Sequence, residues 1–154
     1  MTPSPDDQVR IRFVRDFQTS DGSVSCTKGS EFRVDTATAD ALLIEQVFVN
    51  LIRNAEQAMQ ATPPGQKVLS ISTFRELPSG VGAAVSDTGP GLGEQPANHL
   101  FDSYVTTKPD GMGLGLAICR STIEAHRGHI WGQNREGGGA TFQFVLPAAH
   151  PPEN

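Results

Sequence analysis

KPDGMGLGLAICR, from Lys108 to Arg120, is the stretch on which the reading of this chain turns. Gly111, Gly113 and Gly115 stand on alternate positions and run straight into the apolar pattern of a helix. Bare Cα positions at a helix start let a ligand come against the backbone, and the N–H groups there favour an anion such as a phosphate chain. Several nucleotide-binding folds use such loops, so the flanking sequence has to choose. A P-loop is excluded because no Gly-Lys-Ser/Thr follows. A dinucleotide fingerprint needs a strand immediately before its glycines. Here the preceding YVTTKPD carries a proline and closes a long aperiodic stretch. Glu136 lies at about the spacing of a ribose-binding acid, but within a glycine turn.

Working outward, VRIRFV alternates apolar and charged residues and reads as a half-buried strand. VSCT and FRV read as short strands after the turn SDG, and residues from about 40 to 60 carry the strongest helix signal, broken by TPPGQ. VLSISTF and VGAAVSD read as two strands around the turn LPSG, the second ending in an acid. Residues 88 to 111 show no period and are too long for an ordinary connection, which suggests a functional loop or a disordered one. Gly113 to His126 reads as a second helix, followed by the strands HIWGQ and TFQFVL around the turn REGGGA. Strands and helices alternate in the manner of an α/β sandwich with a mixed sheet. The expected layout is a linker at residues 1–8, one domain at 9–147 and a tail at 148–154.

The chain has 154 residues, enough for one domain with its own core. Its formal net charge of −5 argues against nucleic-acid or membrane-surface binding, which basic patches drive. A nucleotide stays open, because a few local cations and a metal can neutralise phosphates. MTPSPDDQ has no basic-then-apolar signal pattern, and no apolar run reaches membrane-spanning length, so the expected setting is the cytoplasm. Cys26 and Cys119 are too few for a disulfide framework or a zinc cluster, and Cys119 falls in an apolar helix pattern as a small hydrophobe.

In LLIEQVFVNLIRNAEQAM, Leu42 to Met59, the apolar residues fill an arc of roughly 180° at 100° per residue. With Leu43 at zero, Asn54 falls at about 20°, inside that arc, and Asn50 just outside its edge one turn earlier. A buried amide without partners costs about 1–3 kcal/mol, so Asn54 must be satisfied. A backbone group nearby can do this. Two asparagines one turn apart, beside Arg53 and Gln57, also form a polar strip, and an amide oxygen is a hard ligand suited to Mg²⁺.

VSDTGPGLG, Val85 to Gly93, places Asp87 at the end of a buried strand, followed by Gly89 and Gly91. A tight surface turn is one reading. A fixed acceptor for an exocyclic amine such as that of adenine, with glycines letting a flat base approach, is the other.

Taken in order, QVFVNLIRNAEQAM, DTGPG, LFDSYVTTK, GMGLGLAI and GGGATF resemble the N, G1, F-and-lid, G2 and last glycine-threonine boxes of the ATP-binding catalytic domain of sensor histidine kinases. That family lies within the gyrase, Hsp90, histidine kinase and MutL group, and the wording is similar to the nitrogen- and oxygen-sensing kinases. The resemblance covers about residues 40 to 146. It implies a Bergerat-type two-layer α/β sandwich, with about five strands backed by about three helices and a mobile ATP lid. It implies ATP and Mg²⁺ as cofactors. Asn54 would hold the metal, with Asn50 and Arg53 beside the phosphates. Asp87 would accept from adenine, helped through water by Thr141, with Gly89 and Gly91 shaping the pocket. Gly111, Gly113, Leu114 and Gly115 would cup the phosphates, Lys108 would meet the terminal ones, and Phe101 and Tyr104 would anchor the lid. Ordinary core packing is the other reading of Phe101.

The ATP-hydrolysing members of the group carry a glutamate where this chain has Asn50. An amide cannot act as a general base, so the expected reaction is phosphoryl transfer to a protein rather than to water. The acceptor histidine in this family lies on a separate helical hairpin, which serves in turn a response regulator. His99, His126, His129 and His150 lie in no such context and read as surface or structural residues. A serine kinase of the anti-sigma factor type, with the same fold, and a non-catalytic nucleotide-sensing module are the alternatives.

Overall fold

The computed structural model describes residues 8–12, 31–35, 40–63, 65–76, 80–94, 99–102 and 114–147. Helix α1 spans Ala41–Ala58. Asp40 starts it: its Oδ1 accepts from the N–H groups of Leu42 at 2.9 Å and Leu43 at 3.2 Å, two of the donors a helix start leaves over. The helix ends at Met59, ahead of the two prolines that cannot continue it. Its buried stripe is Ile44, Val47, Phe48, Leu51, Ala55 and Met59. Leu43 is 46% exposed, so the apolar arc is narrower than the sequence suggests. Asn54 therefore lies on the edge of that arc and is half-buried rather than enclosed.

Strands β1 (Gln8–Arg12) and β2 (Glu31–Asp35) form one antiparallel pair. Strands β3 (Ser70–Glu76), β4 (Gly80–Ser86), β5 (His129–Asn134) and β6 (Ala140–Pro147) form a second sheet in the order β3-β4-β6-β5. Helix α2 (Gly115–Ala125) links β4 to β5. Every described pairing is antiparallel, which corrects the expectation of a mixed sheet. The helical crossover does return β5 parallel to β4, as such a connection requires. β6 then folds back and inserts between them, so no neighbouring pair is parallel. Four strands and two helices make the sandwich among the described residues, against about five and three expected.

Both helices cover one face of the four-stranded sheet. The core joins the α1 stripe to Ile71, Ala83, Val85, Phe142, Phe144 and Leu146 of the strands and to Cys119 and Ile123 of α2. The rings of Phe48 and Phe144 meet edge to face at 5.3 Å. Two contacts set the relative direction of the helices. At the end of α2, His126 Nε2 accepts from Asp40 N–H at 3.0 Å, beside the start of α1. In mid-helix, Cys119 Sγ donates to Val47 O at 3.8 Å. The helices are therefore antiparallel, and the first turn of α2 points toward the half of α1 that carries Asn50 and Asn54. No described helix is long and apolar enough to cross a membrane.

Candidate functional site

Asp87 follows the last residue of β4 and is 1% exposed. Alternation along the strand sends Ala83 and Val85 toward the helices, and Asp87 to the same side. A buried carboxylate survives only when hydrogen-bonded. Here Oδ1 accepts from Gly89 N–H at 2.9 Å and from Ala140 N–H at 3.4 Å. The main chain of Asp87 is fixed too: its N–H donates to Ala140 O at 2.9 Å, and its carbonyl accepts from Arg135 Nη1 at 2.9 Å.

The turn after Asp87 packs on the end of α1. A Cβ on Gly89 would lie 2.8 Å from Ala58 O, so only glycine lets the turn come this close. Thr88 secures it from the other side, its Oγ1 donating to Gln66 O at 2.6 Å and accepting from Val68 N–H at 2.9 Å. Ala58 lies one turn beyond Asn54, and Asn54 one turn beyond Asn50, so the Gly89 turn sits at the end of the half of α1 that carries both amides. Both are half-buried. Asn50 Oδ1 accepts from Gln46 Nε2 at 3.5 Å, and its side chain also bonds the Cys119 thiol. Burial pushes that thiol up to about 12, outweighing the lowering by the Asn50 bond and by a backbone bond.

The first backbone bond of α2 runs from Ile118 N–H to Leu114 O at 2.9 Å, so the amides of Gly115, Leu116 and Ala117 open the helix without an intrahelical acceptor. A Cβ on Gly115 would meet nothing within 4 Å among the described residues, so no packing against them demands glycine there. The fold thus turns the Asp87 turn and the start of α2 toward the half of α1 that carries Asn50 and Asn54. Arg53 is exposed on α1.

Other expected residues fall elsewhere. Lys108, Gly111, Gly113, Tyr104, Cys26 and His150 lie outside the described residues. The Thr141 hydroxyl bonds Ser86 Oγ at 2.8 Å, which puts it on the opposite face of the sheet from Val85 and Asp87. Its neighbour Ala140 reaches the Asp87 carboxylate through the backbone N–H. Phe101 is buried against Phe142, ring centroids 6.1 Å apart, as core packing predicts. His99 lies 3.7 Å from Asp102, His129 stacks on Trp131, and the His126 ring nitrogens face Asp40 N–H and Thr122 O. Ala140, Asn134 and Arg135 escape a sequence reading. A backbone donor has no side-chain signature, and an Asn-Arg pair before a glycine turn looks like ordinary loop chemistry.

Among the described residues no group of three or more His, Cys, Asp or Glu could hold a metal ion. A cation here would share the Asn54 amide oxygen with phosphate oxygens and water. Mg²⁺ accepts that arrangement, since it keeps several waters and needs few protein ligands.

A family model described as histidine kinase-, DNA gyrase B-, and HSP90-like ATPase matches residues 39–150. The sensor protein FixL of Bradyrhizobium diazoefficiens is 44% identical over 115 residues, covering 75% of this chain but 22% of FixL. The chain thus spans under a quarter of that relative's length. The solved catalytic domain of histidine kinase ThkA superposes with a TM-score of 0.65 at 33% identity, over 81% of this chain and 79% of that one. Full-length ShkA, solved in complex with AMPPNP, superposes with a TM-score of 0.61 at 29% identity, over 75% of this chain and 24% of ShkA.

Proposed function

Because the chain belongs to the histidine kinase-, DNA gyrase B-, and HSP90-like ATPase family, as an ATPase domain of the sensor histidine kinase kind, we propose that it binds Mg-ATP and passes the γ-phosphoryl to a histidine on a separate helical hairpin. The observation that carries this is that the Asp87 turn and the start of α2 both lie toward the half of α1 that carries Asn54. The buried Asp87 carboxylate, aimed by two backbone N–H groups, accepts from the exocyclic amine of adenine, and Gly89 and Gly91 let the base lie against the turn. Asn54 offers its amide oxygen to Mg²⁺, with Asn50 and Arg53 beside the phosphates. The opening amides of α2, at Leu114 and Gly115 and onward, take phosphate oxygens, where the helix dipole adds to the N–H donors. The bare Cα of Gly115, with no described residue within 4 Å of a Cβ placed there, supports this assignment. Lys108, Gly111 and Gly113 complete the phosphate side.

Catalysis of this kind is positioning and charge stabilisation. Asn50 has no basic lone pair with which to activate water, which favours a protein acceptor over hydrolysis. The hairpin supplies the imidazole nitrogen, ADP leaves, and a response regulator takes the phosphoryl group from the histidine. Residues 9–147 are the unit assigned to this role.

Calorimetric titration with ATP, with and without Mg²⁺, followed by incubation with radiolabelled ATP and a supplied hairpin domain, tests the proposal. The expected result is Mg²⁺-dependent binding and acid-labile label on the hairpin alone. Label on this chain without the hairpin, or acid-stable label on a serine, would refute it in favour of the serine-kinase reading.

A further inference from the structure

The loop from Asp87 to Gly93 is held from outside by two consecutive residues. Asn134 is the last residue of β5 and Arg135 opens the β5–β6 turn. The Asn134 carboxamide spans two loop residues: Oδ1 accepts from Leu92 N–H at 2.7 Å and Nδ2 donates to Gly93 O at 3.4 Å. The same oxygen fills the space beside Gly91, where φ is +84° and a Cβ would lie 2.7 Å from it. Arg135 donates from Nη1 to Asp87 O at 2.9 Å, while its backbone closes the turn through Gly139 O at 2.9 Å and Gly138 N–H at 3.2 Å. Gly139 packs so closely on Asp87 O that any Cβ would overlap it. The core needs neither side chain, since Asn134 is exposed and Arg135 half-buried. Their described side-chain bonds all go to this loop.

We propose that Asn134 and Arg135 are positioning residues for base recognition, setting the direction of the Asp87 carboxylate and thereby the preference for a 6-amino over a 6-oxo purine. The proposal rests on the adenine reading of Asp87. A carboxylate discriminates between these bases only while it is held. Facing the base, it accepts from an amine and repels a carbonyl oxygen. Released from the Arg135 clamp, or with loop 91–93 free to shift, it turns away or admits water, and both bases then bind alike.

The test compares binding of ATP and ITP, each with Mg²⁺, to the full chain as wild type, Asn134→Leu, Arg135→Met, Arg135→Lys and Asp87→Asn. Melting temperature and binding stoichiometry are read on the same samples. Wild type is expected to prefer ATP. Asn134→Leu and Arg135→Met should each lower that preference by roughly fivefold to tenfold, the scale of one lost hydrogen bond. Arg135→Lys, which keeps a cationic donor, should restore most of it. A merely structural role would lower the melting temperature or the fraction that binds and leave the preference unchanged, which overturns the proposal. Wild type binding both nucleotides equally would overturn the adenine reading itself and the proposal with it. A wild-type preference that survives in both variants overturns the positioning role alone.

Discussion

Asp87→Asn exchanges one oxygen for an NH₂ group at a side chain only 1% exposed, with almost no change of volume. Oδ1 carries the bonds from Gly89 N–H at 2.9 Å and Ala140 N–H at 3.4 Å, and the carboxamide oxygen can keep both. Those two bonds change from charge-assisted to neutral, a loss of about 1–2 kcal/mol in stability. The amide nitrogen then takes the place of the other oxygen and presents a donor. Toward adenine, a bond to a charged acceptor worth about 1.5–3 kcal/mol becomes a donor–donor contact. Binding should therefore weaken by about 3 kcal/mol, roughly 100-fold. The melting temperature should fall by only about 3–8 °C. Calorimetric titration of ATP with Mg²⁺, paired with a thermal scan of each preparation, measures both quantities. A variant that binds ATP within roughly threefold of wild type, at full stoichiometry, would refute the adenine assignment.

Two glycines should separate packing from ligand approach. Gly89→Ala forces a Cβ to within 2.8 Å of Ala58 O, so it should cost about 1–3 kcal/mol in chemical denaturation and weaken ATP binding as the turn lifts off α1. Gly115→Ala meets nothing within 4 Å, so stability should stay within about 1 kcal/mol while ATP binding falls; unchanged affinity would contradict the phosphate role of that turn. At Cys119 burial raises the thiol to about 12, above the unfolded value of about 8.5. Its contribution is therefore full below about pH 8.5 and is lost as pH rises toward 12, by up to about 1.4 kcal/mol per unit. Cys119→Ala should thus show a flatter alkaline limb than wild type in denaturation between about pH 8.5 and 10. Parallel limbs would show that the thiol is not protonated in the fold. His126→Phe removes the acceptor of Asp40 N–H and the bond to Thr122 O, and should cost about 1–3 kcal/mol by denaturation with ATP affinity unchanged.

The helix α1 is legible from its 3.6-residue period, and strands β3 to β6 from their apolar patterns and the turns between them. Those signals are local. The order β3-β4-β6-β5 is not local, because β4 and β6 are partners separated by a whole helix and another strand. The mixed-sheet expectation failed at that point, since nothing in β6 states that it inserts between two parallel neighbours. Leu43 misled for a related reason. Its residue type is apolar, but α2 and the sheet together cover only the stripe from Ile44 to Met59, and Leu43 is left on the rim.

Residue type and order alone determined that this chain carries a glycine-opened helix, an acid closing a buried strand, and two amides one turn apart on a third element. Chemistry of that kind is written in side chains and short spacings, which a sequence displays directly. Only the tertiary structure decided how these parts face one another. The antiparallel packing of α2 on α1 puts the opening amides of one helix toward the asparagines of the other. The close seat of Gly89 on Ala58 O brings Asp87 to the same end. The structure also put the backbone N–H of Ala140 on Asp87 and the hydroxyl of Thr141 on Ser86, across the sheet. A one-residue step along a strand reverses the face, and only the pairing register of β4 with β6 says which residue lands on which side.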